Sequence, residues 1–398
     1  MRWRDNVKEA AVVGAGITGI TTAYYLARAG YSVTIYDERK YPAMATSYAN
    51  GGQLSASNAE VWNSWRSVYK GIKWLAQPSA PLRVNPWPSW DKYSWFYKFI
   101  RAIPNADANT QETCEMALQA HHLYKQIADE EGIEFDKVER GILHIYTNEQ
   151  EFENARRVNK IYARAGLKRW EVSAEECLEI EPALVRPPRL LGGMYNDTDF
   201  TGDIHKFCME LYKVLQTKYH VVMKQQKVRN LKQELREHRG PVVVCAGVES
   251  KQLADTVGDH LPIYPVKGYS ITIHNPVVAP WTSMLDDEAK IVTARLGKDR
   301  LRIAGTAEFN GYNKDIVQAR IKPLIEWAER MFPGINTENI TPWAGLRPMM
   351  PTMMPVVRPS TNSDRIYYNT GHGHLGWTLS AYTAQSIVEQ IRGRNSES

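Results

Sequence analysis

Long apolar runs and cysteine-rich motifs are what this sequence lacks. No run of about 18 apolar residues occurs, so the sequence predicts no membrane-spanning helix. The first ten residues, MRWRDNVKEA, hold no apolar stretch, so we expect no secretory signal and a cytoplasmic protein with reduced thiols. The four cysteines are scattered, without C-x-x-C or Cys/His spacing, which argues against a zinc motif, a metal site and a disulfide framework: Cys114, Cys177, Cys208 and Cys245.

The composition is that of a globular protein. Of the 398 residues, 43% are hydrophobic and 23% are charged, and the formal net charge is +5. Such a chain is long enough for two domains and a sizeable core, and it contains no internal repeat or low-complexity segment.

Residues 10–37 have the pattern of a nucleotide-binding unit. An apolar strand leads into a G-x-G-x-x-G turn, a helix from about Ile17 to Ala29 follows, and a second strand ends at an acid, Asp37. The first glycine of such a turn permits the bend, the second lets backbone approach a pyrophosphate, and the third lets helix and strand pack closely. Asp37 is placed to accept a hydrogen bond from a ribose. A glycine-rich packing turn without a ligand is the alternative.

Two further glycine segments, Gly51–Gly52 and Gly371–Gly376, lie far away in the sequence and flank a loop and a helix. Helix N-termini offer unpaired N–H groups and partial positive charge, which suit a phosphate or an electron-rich ring edge. The apolar run 241–247 reads as a strand returning to the first sheet, so the nucleotide domain is discontinuous. The alternative for the last segment is an ordinary capped helix.

Residues 62–101 are rich in tryptophan and in positive charge. Seven basic residues stand against one acid there, Asp91, among six of the twelve tryptophans: Trp62, Trp65, Trp74, Trp87, Trp90 and Trp95. Cations interleaved with indoles are typical of a membrane interface, and a small local core is the alternative. No nucleic-acid-binding signature accompanies the stretch, so we expect no nucleic-acid partner.

The remainder reads as a second unit with antiparallel strands. Residues 262–308 predict strands around a Gly297–Asp299 hairpin turn, followed by a helix over 314–331. His144 alternates with apolar neighbours and is predicted to be a packed histidine, because the sequence identifies no carboxylate partner for it.

Five motifs together resemble a known family. They are V-x-G-A-G-I-T-G at 12–19, TSYANGGQ at 46–53, YPVKGYS at 264–270, GLRPM at 345–349 and NTGHGHLGWT at 369–378. The sequence is similar to the D-amino-acid oxidase-like FAD-dependent oxidoreductases, and within them to the bacterial D-amino acid dehydrogenases of the small-subunit type. The resemblance covers nearly the whole chain.

The fold implied is α/β, with a Rossmann-like FAD-binding domain and an α+β substrate domain built on a mixed β-sheet. We expect the FAD-binding domain to comprise 1–60, 197–260 and 332–398, and the substrate domain to comprise 61–196 and 261–331, with 62–101 as an insertion.

The resemblance also implies the site residues. Arg347 sits where the family binds the substrate carboxylate, a task that suits the guanidinium fork, and Tyr269 is a weaker candidate catalytic residue for lining the pocket. A structural ion pair is the alternative for Arg347. The expected FAD-binding residues are Gly14, Ala15, Gly16, Ile17, Thr18, Gly19, Asp37, Glu38, Thr46, Ser47, Asn50, Gly51, Gly52, Gln53, Val228, Ala246, Gly247, Gly345, Gly371, Gly373, His374, Leu375, Gly376, Trp377 and Thr378.

The implied reaction is oxidation of a D-amino acid, or of a cyclic imino acid, by hydride transfer from Cα to flavin N5. The products are a 2-oxo acid and ammonia, or a cyclic imine. No cysteine lies beside the C-terminal flavin segments, so we expect non-covalent FAD. Electrons pass to a quinone or another carrier, with peripheral membrane contact through 62–101. The alternatives are an oxygen-using oxidase, a nicotinamide enzyme and a flavin-binding protein without catalysis.

Two departures from the family pattern concern the loop after Arg347. The usual Asp-Gly pair is replaced by Thr352-Met353, and a later glycine by Arg358. Four methionines of this loop either line an apolar substrate pocket or fill core: Met349, Met350, Met353 and Met354.

Overall fold

The computed structural model describes residues 8–75 and 80–397 of the chain. The strands are, in chain order, β1 Glu9–Val13, β2 Ser32–Asp37, β3 Gln53–Leu54, β4 Leu82–Val84, β5 Ile142–Tyr146, β6 Trp170–Ser173, β7 Gly192–Asn196, β8 Phe200–Thr201, β9 Val222–Gln225, β10 Val242–Val244, β11 Tyr264–His274, β12 Ser283–Asp286, β13 Ile291–Leu296, β14 Arg300–Phe309, β15 Ile340–Met349, β16 Val356–Pro359 and β17 Ile366–Thr370.

The helices alternate with these strands. They are α1 Ile17–Arg28, α2 Trp65–Leu75, α3 Trp90–Arg101, α4 Ala106–Glu131, α5 Glu149–Arg164, α6 Ala174–Ile180, α7 Ile204–Thr217, α8 Leu231–Glu234, α9 Ser250–Asp255, α10 Gln318–Met331 and α11 Gly376–Glu397. The bounds of α7 and of the strands around the Gly297 hairpin agree closely with those predicted from the sequence.

The first sheet has the strand order β16-β17-β10-β1-β2-β9. Its neighbouring strands are parallel except for β16, which runs antiparallel to β17. The central strand β1 is buried along Ala10–Val13, because helices cover both faces of a parallel sheet and leave no polar side to the strand. The predicted return of the apolar run at 241–247 to this sheet is confirmed by β10.

The second sheet is mixed and has the order β15-β11-β14-β13-β12-β5-β7-β6, with β4 added beside β14. The ladder between β11 and β15 is antiparallel from Tyr264↔Met349 to Ile273↔Ile340. Helix α10 packs on one face, where Ile271 and Ile273 meet Leu324 and Trp327. The opposite face of the sheet looks toward the first sheet.

The two-sheet α/β fold expected from the family resemblance is confirmed, but one predicted boundary is wrong. Residues 332–349 were assigned to the FAD-binding domain, whereas β15 belongs to the second sheet. The reason is the long ladder with β11, which fixes β15 to the substrate side and returns the chain to the first sheet only at β16. The other predicted boundaries stay predictions.

The 62–101 insertion forms α2, β4 and α3 over its described part. Trp95 and Phe99 are buried in a cluster with Tyr264 and Phe309, so this stretch does build a local core. Other rings of the same helices and of the loop between them point to solvent, and we call this set the aromatic face: Trp65, Tyr69, Trp87, Trp90, Tyr93 and Tyr97. The insertion therefore has both a buried and an unburied aromatic set.

Candidate functional site

The glycine turn after β1 is built by close contacts. Gly14 has φ +104°, a conformation that glycine adopts readily, and a Cβ there would lie 2.6 Å from the Cys245 carbonyl oxygen. A Cβ on Gly19 would lie 1.8 Å from the Gly14 carbonyl oxygen, so the predicted close packing of helix and strand is confirmed. A Cβ on Gly16 would meet nothing closer than the Ser47 Oγ at 3.4 Å. Gly16 is thus the glycine of the three that opens onto free space.

Asp37 stands at the end of β2 with its carboxylate fixed by backbone. Its Oδ2 accepts from the Ala15 N–H at 2.8 Å, and its Oδ1 accepts from the Arg39 N–H at 2.8 Å. Each oxygen retains a lone pair for a ribose hydroxyl. Ser47 Oγ accepts from the Ile17 N–H at 3.2 Å, which ties the 46–53 segment to the start of α1.

One cavity of about 1410 Å³ runs between the two sheets. This exceeds the roughly 300–1,000 Å³ of common small-ligand pockets, so it has room for a large cofactor with a substrate. All but two of the expected FAD-binding residues line it. The exceptions are Ala15 and Gly19, which belong to the glycine turn and the start of α1 but do not line the cavity.

Buried polar atoms on this cavity wall have no hydrogen-bond partner in the described residues. They include Trp377 Nε1, Asn369 Oδ1, Thr306 Oγ1 and both ring nitrogens of His374. Leaving a buried donor or acceptor unpaired costs about 1–3 kcal/mol, so such groups are normally satisfied by a ligand or water. The N-termini of α1 and α11, at Gly16 and Gly376, also open here. The wall therefore fits FAD, a long molecule with a diphosphate and a heterocycle rich in acceptors.

Arg347 projects from β15 into the same cavity. Its guanidinium lies across β11 at Gly268, where a Cβ would be 2.3 Å from Nη2, and Nη1 donates to the Thr306 carbonyl oxygen at 2.8 Å. No acidic side chain of the described residues forms an ion pair with Arg347, so the alternative of a structural ion pair is not observed. Burial lowers the pKa of Arg347 to about 10, and the group remains cationic at neutral pH. A guanidinium that lacks a carboxylate partner is suited to binding a carboxylate ligand.

An aromatic wall adjoins Arg347. The Trp62 ring stacks on His374 with ring centroids 4.6 Å apart and an interplanar angle of 22°. Burial, with a smaller contribution from Arg347, lowers the pKa of His374 to about 3, so His374 is neutral at working pH. Thr306 has φ +64°, a left-handed conformation that is strained for a β-branched residue, and its carbonyl is the acceptor for Arg347.

Comparison with known proteins decides the family. The model of the family described as "DAO: FAD dependent oxidoreductase" matches residues 9–390. The chain belongs to this family. Among its curated relatives, "D-amino acid dehydrogenase 3" of Mesorhizobium japonicum is 50% identical and covers 96% of each chain. "D-amino acid dehydrogenase" of Paramagnetospirillum magneticum is 38% identical, over 97% of this chain and 95% of the other.

Solved structures share the fold. Glycine oxidase from Geobacillus kaustophilus has a TM-score of 0.75 at 19% identity, over 97% of this chain and 95% of its own. L-proline dehydrogenase from P. horikoshii has a TM-score of 0.74 at 16% identity, over 98% and 94% of the two chains. The expected membership in the FAD-dependent oxidoreductases is confirmed, and FAD is the cofactor of the chain.

Tyr269 lines the cavity, as predicted, but its hydroxyl is engaged on the face of β11 away from Arg347. Side chains alternate along a strand, and Gly268 shares its face with the Arg347 guanidinium, so Tyr269 points to the opposite face, toward α10. Its hydroxyl donates to Glu308 Oε2 at 2.9 Å, and burial raises the pKa of Tyr269. Tyr269 is among the residues that line the cavity, but its hydroxyl is engaged by Glu308 away from Arg347, so its predicted catalytic role stays a prediction.

The methionine loop fills core and does not line the cavity. Met349 and Met353 pack with Trp95, whose Nε1 donates to the Met349 carbonyl oxygen at 2.9 Å. Met350 packs beneath Gly371, where a Cβ would lie 2.8 Å from its Cγ. Met353, which stands where the family pattern has the glycine of an Asp-Gly pair, has a left-handed φ of +63°. The pocket-lining alternative for the four methionines is therefore wrong.

His144 is a packed histidine, as predicted. It is buried, its Nε2 lies 2.9 Å from Ser57 Oγ, and burial lowers its pKa to about 3.

The four cysteines are buried free thiols. Over 8–75 and 80–397, no cluster of His, Cys, Asp or Glu could hold a metal ion. In the same residues, no helix has the length and hydropathy needed to cross a bilayer.

Sequence reasoning missed Gly268, Thr306 and Trp62 as parts of the site. Gly268 lay within a motif that was used only for the family resemblance, and Trp62 was grouped with the surface tryptophans. Thr306 carried no sequence signal, because nothing in its neighbours indicates a left-handed backbone.

Proposed function

We propose that the protein oxidises D-amino acids with non-covalently bound FAD, giving a 2-oxo acid and ammonia. The observation that supports this proposal is the Arg347 guanidinium, which is half-buried, forms no ion pair with a described carboxylate and lines the FAD cavity. The names of the curated relatives at 50% and 38% identity supply the substrate class.

The residues around Arg347 act by binding and orienting. The guanidinium holds the substrate carboxylate through two parallel hydrogen bonds, and the Thr306 carbonyl fixes the guanidinium in place. His374, with a pKa of about 3, is a poor base, so the substrate amine is bound in its neutral form. Trp62 and His374 shield the site from water. FAD supplies the redox chemistry by accepting the electron pair from Cα. The resulting imine is hydrolysed by water.

Flavin bleaching tests the proposed function directly. Purified protein is mixed anaerobically with matched D- and L-amino acids and with cyclic imino acids, and the visible flavin absorbance is followed. We expect D-amino acids to bleach the flavin at least about tenfold faster than their L-enantiomers, because one fixed carboxylate allows one Cα face to approach the ring. Bleaching by L-amino acids alone would contradict the proposed stereochemistry. A flavin that no substrate bleaches would favour the alternative of a flavin-binding protein without catalysis.

We further propose that the electrons pass to a membrane quinone and that the aromatic face contacts the bilayer. Trp87 and Trp90 are 78% and 83% exposed, far more than a folded protein normally leaves for indole. Lys73, Arg83 and Arg101 are exposed cations of the same insertion, suited to anionic lipid. The cavity extends to Ile72 and Tyr93, so it reaches this part of the surface.

Removing the rings tests the membrane contact. We expect the wild-type protein to float with phosphatidylglycerol vesicles at low salt, and we expect Trp65→Ser/Trp87→Ser/Trp90→Ser to reduce bound protein at least about tenfold, because each indole contributes apolar burial. Trp170→Ser is the matched control, since Trp170 is exposed outside the insertion. Equal flotation of the triple variant would exclude the aromatic face. Reoxidation of the reduced flavin by air faster than by quinone would favour the oxidase.

A further inference from the structure

Strand β14 loses its ladder partners at Thr306. Its ladder with β13 ends at Gly305, and its ladder with β4 begins at Ala307. Toward β11 the register shifts at this point, so that one residue, Gly268, stands opposite two, Thr306 and Ala307. Such a two-against-one arrangement is a β-bulge, a feature that is frequent beside active sites because it re-aims a side chain.

The bulge explains how Arg347 is held. The extra residue of a bulge leaves the ladder, so its backbone is free to pair with another group. The Thr306 carbonyl oxygen is used in this way, since it accepts from Arg347 Nη1 at 2.8 Å. Gly268 leaves the room that the guanidinium needs, because a Cβ there would lie 2.3 Å from Nη2. The bulge and the glycine together fix the guanidinium on the cavity wall.

Threonine is an unfavourable residue for this bulge. The φ of Thr306 is +64°, a left-handed conformation that bulges with such a first residue usually assign to glycine. A β-branched residue in that conformation is strained, and strain of this kind concentrates at functional sites. The strain indicates that the threonine side chain serves a purpose that glycine could not.

The hydroxyl of Thr306 has no partner within residues 8–75 and 80–397. Thr306 is 9% exposed and lines the cavity, and its Oγ1 is buried without a hydrogen bond. Buried hydroxyls are normally satisfied, and a hydroxyl can rotate its proton to suit a ligand. Because this hydroxyl belongs to the residue whose carbonyl holds Arg347, a ligand on Arg347 comes within its reach.

We propose that the Thr306 hydroxyl donates a hydrogen bond to the substrate carboxylate held by Arg347, so that Thr306 is a second substrate-binding residue. This inference rests on the proposed function and deepens it. A carboxylate keeps lone pairs after accepting two parallel bonds from a guanidinium, and a hydrogen bond to a charged group is stronger than a neutral one. The bulge then supplies both the carbonyl that positions the guanidinium and the hydroxyl that completes the carboxylate site.

Removing the hydroxyl while keeping the branched shape tests the proposal. Losing one hydrogen bond to a charged group predicts that Thr306→Val raises KM for D-alanine about 10- to 150-fold with little change in kcat. Thr306→Ser keeps the hydroxyl and should stay within about threefold of wild type. Thr341→Val is the matched control, since Thr341 lies on β15 outside the cavity, and it should leave KM unchanged.

Binding without turnover supplies the second readout. Propanoate, which is alanine without its amine, and ethylamine, which is alanine without its carboxylate, are titrated separately into oxidised holoenzyme. The change in flavin absorbance gives each dissociation constant, and the flavin content of every variant is measured alongside. We expect Thr306→Val to weaken propanoate binding at least about tenfold and to leave ethylamine binding and flavin content unchanged.

The other outcomes would each overturn the proposal. Equal propanoate affinity in wild type and Thr306→Val would remove the hydroxyl from the carboxylate site. A loss confined to ethylamine would assign it to the substrate amine, and a loss of flavin with normal propanoate binding would assign it to the cofactor. Equal losses in Thr306→Val and Thr306→Ser would assign the effect to packing of the bulge.

These results are independent of the proposed function. The propanoate titration involves no turnover, so it reports on Thr306 whether or not an amino acid is oxidised. Failure of all D-amino acids to bleach the flavin would concern the proposed function alone.

Discussion

Arg347→Ala is expected to keep its FAD and to lose most of its turnover. Truncating one partner of a buried, hydrogen-bonded charge pair costs about 2–5 kcal/mol, which corresponds to a roughly 30- to 5,000-fold fall in kcat/KM. The loss should appear mainly in KM, because the guanidinium binds the carboxylate both before and during the reaction. The measurement is steady-state kinetics with a soluble acceptor, together with the flavin content of the purified variant.

Two further variants make this result specific. Arg347→Lys keeps the charge but not the planar fork, so it should recover only part of the lost affinity. Arg358→Ala is the matched control, since Arg358 is a half-buried arginine on the neighbouring β16 that does not line the cavity. A fully active Arg347→Ala would remove this residue from the substrate site, and equal losses in both variants would indicate damage to the loop.

Gly16→Ala and Gly19→Ala are expected to fail in different ways. A Cβ on Gly16 has 3.4 Å of clearance from Ser47 Oγ and a permitted φ of −70°, so the apoprotein should fold with almost unchanged stability. The same methyl would occupy the space that a diphosphate must approach. Losing one charge-assisted hydrogen bond there costs about 1.5–3 kcal/mol, or a roughly 10- to 150-fold rise in the FAD dissociation constant.

Gly19→Ala changes stability instead. Its Cβ would lie 1.8 Å from the Gly14 carbonyl oxygen, so backbone has to move, and overpacking of this kind costs about 1–3 kcal/mol or more. Chemical unfolding of each apoprotein and FAD titration of each variant separate the two effects. A destabilised Gly16→Ala with normal FAD affinity would mean that this glycine serves packing rather than the cofactor.

The nucleotide unit could be predicted from the sequence because its signals are local. Strand, turn, helix and acid follow one another within residues 10–37, and each element has its own residue pattern. Arg347 could be assigned only through the family motif, since an arginine in a strand has no local signature. Whether Arg347 forms an ion pair depends on residues of distant strands, which only the folded structure brings together.

The features that could not be predicted from the sequence depend on how the strands of the second sheet pair with one another. Tyr269 shows this well: alternation along β11 places it opposite Gly268, but the sequence does not reveal which face meets the cavity. The cavity joins residues from 60, 151 and 287, which come together only after the sheet and α5 have formed. Met353 has a left-handed backbone with φ +63°, and nothing in the sequence of its neighbours indicates that conformation.

The passage of Arg347 over Gly268 means that the two positions cannot be altered independently. A single methyl at residue 268 would lie 2.3 Å from Nη2, 2.5 Å from Cζ and 2.7 Å from Nη1 of Arg347, so the guanidinium would have to move. Once Arg347 is truncated, the three nearest atoms to that methyl are gone. The two substitutions should therefore be strongly non-additive, so a variant at residue 268 reports on the position of the guanidinium.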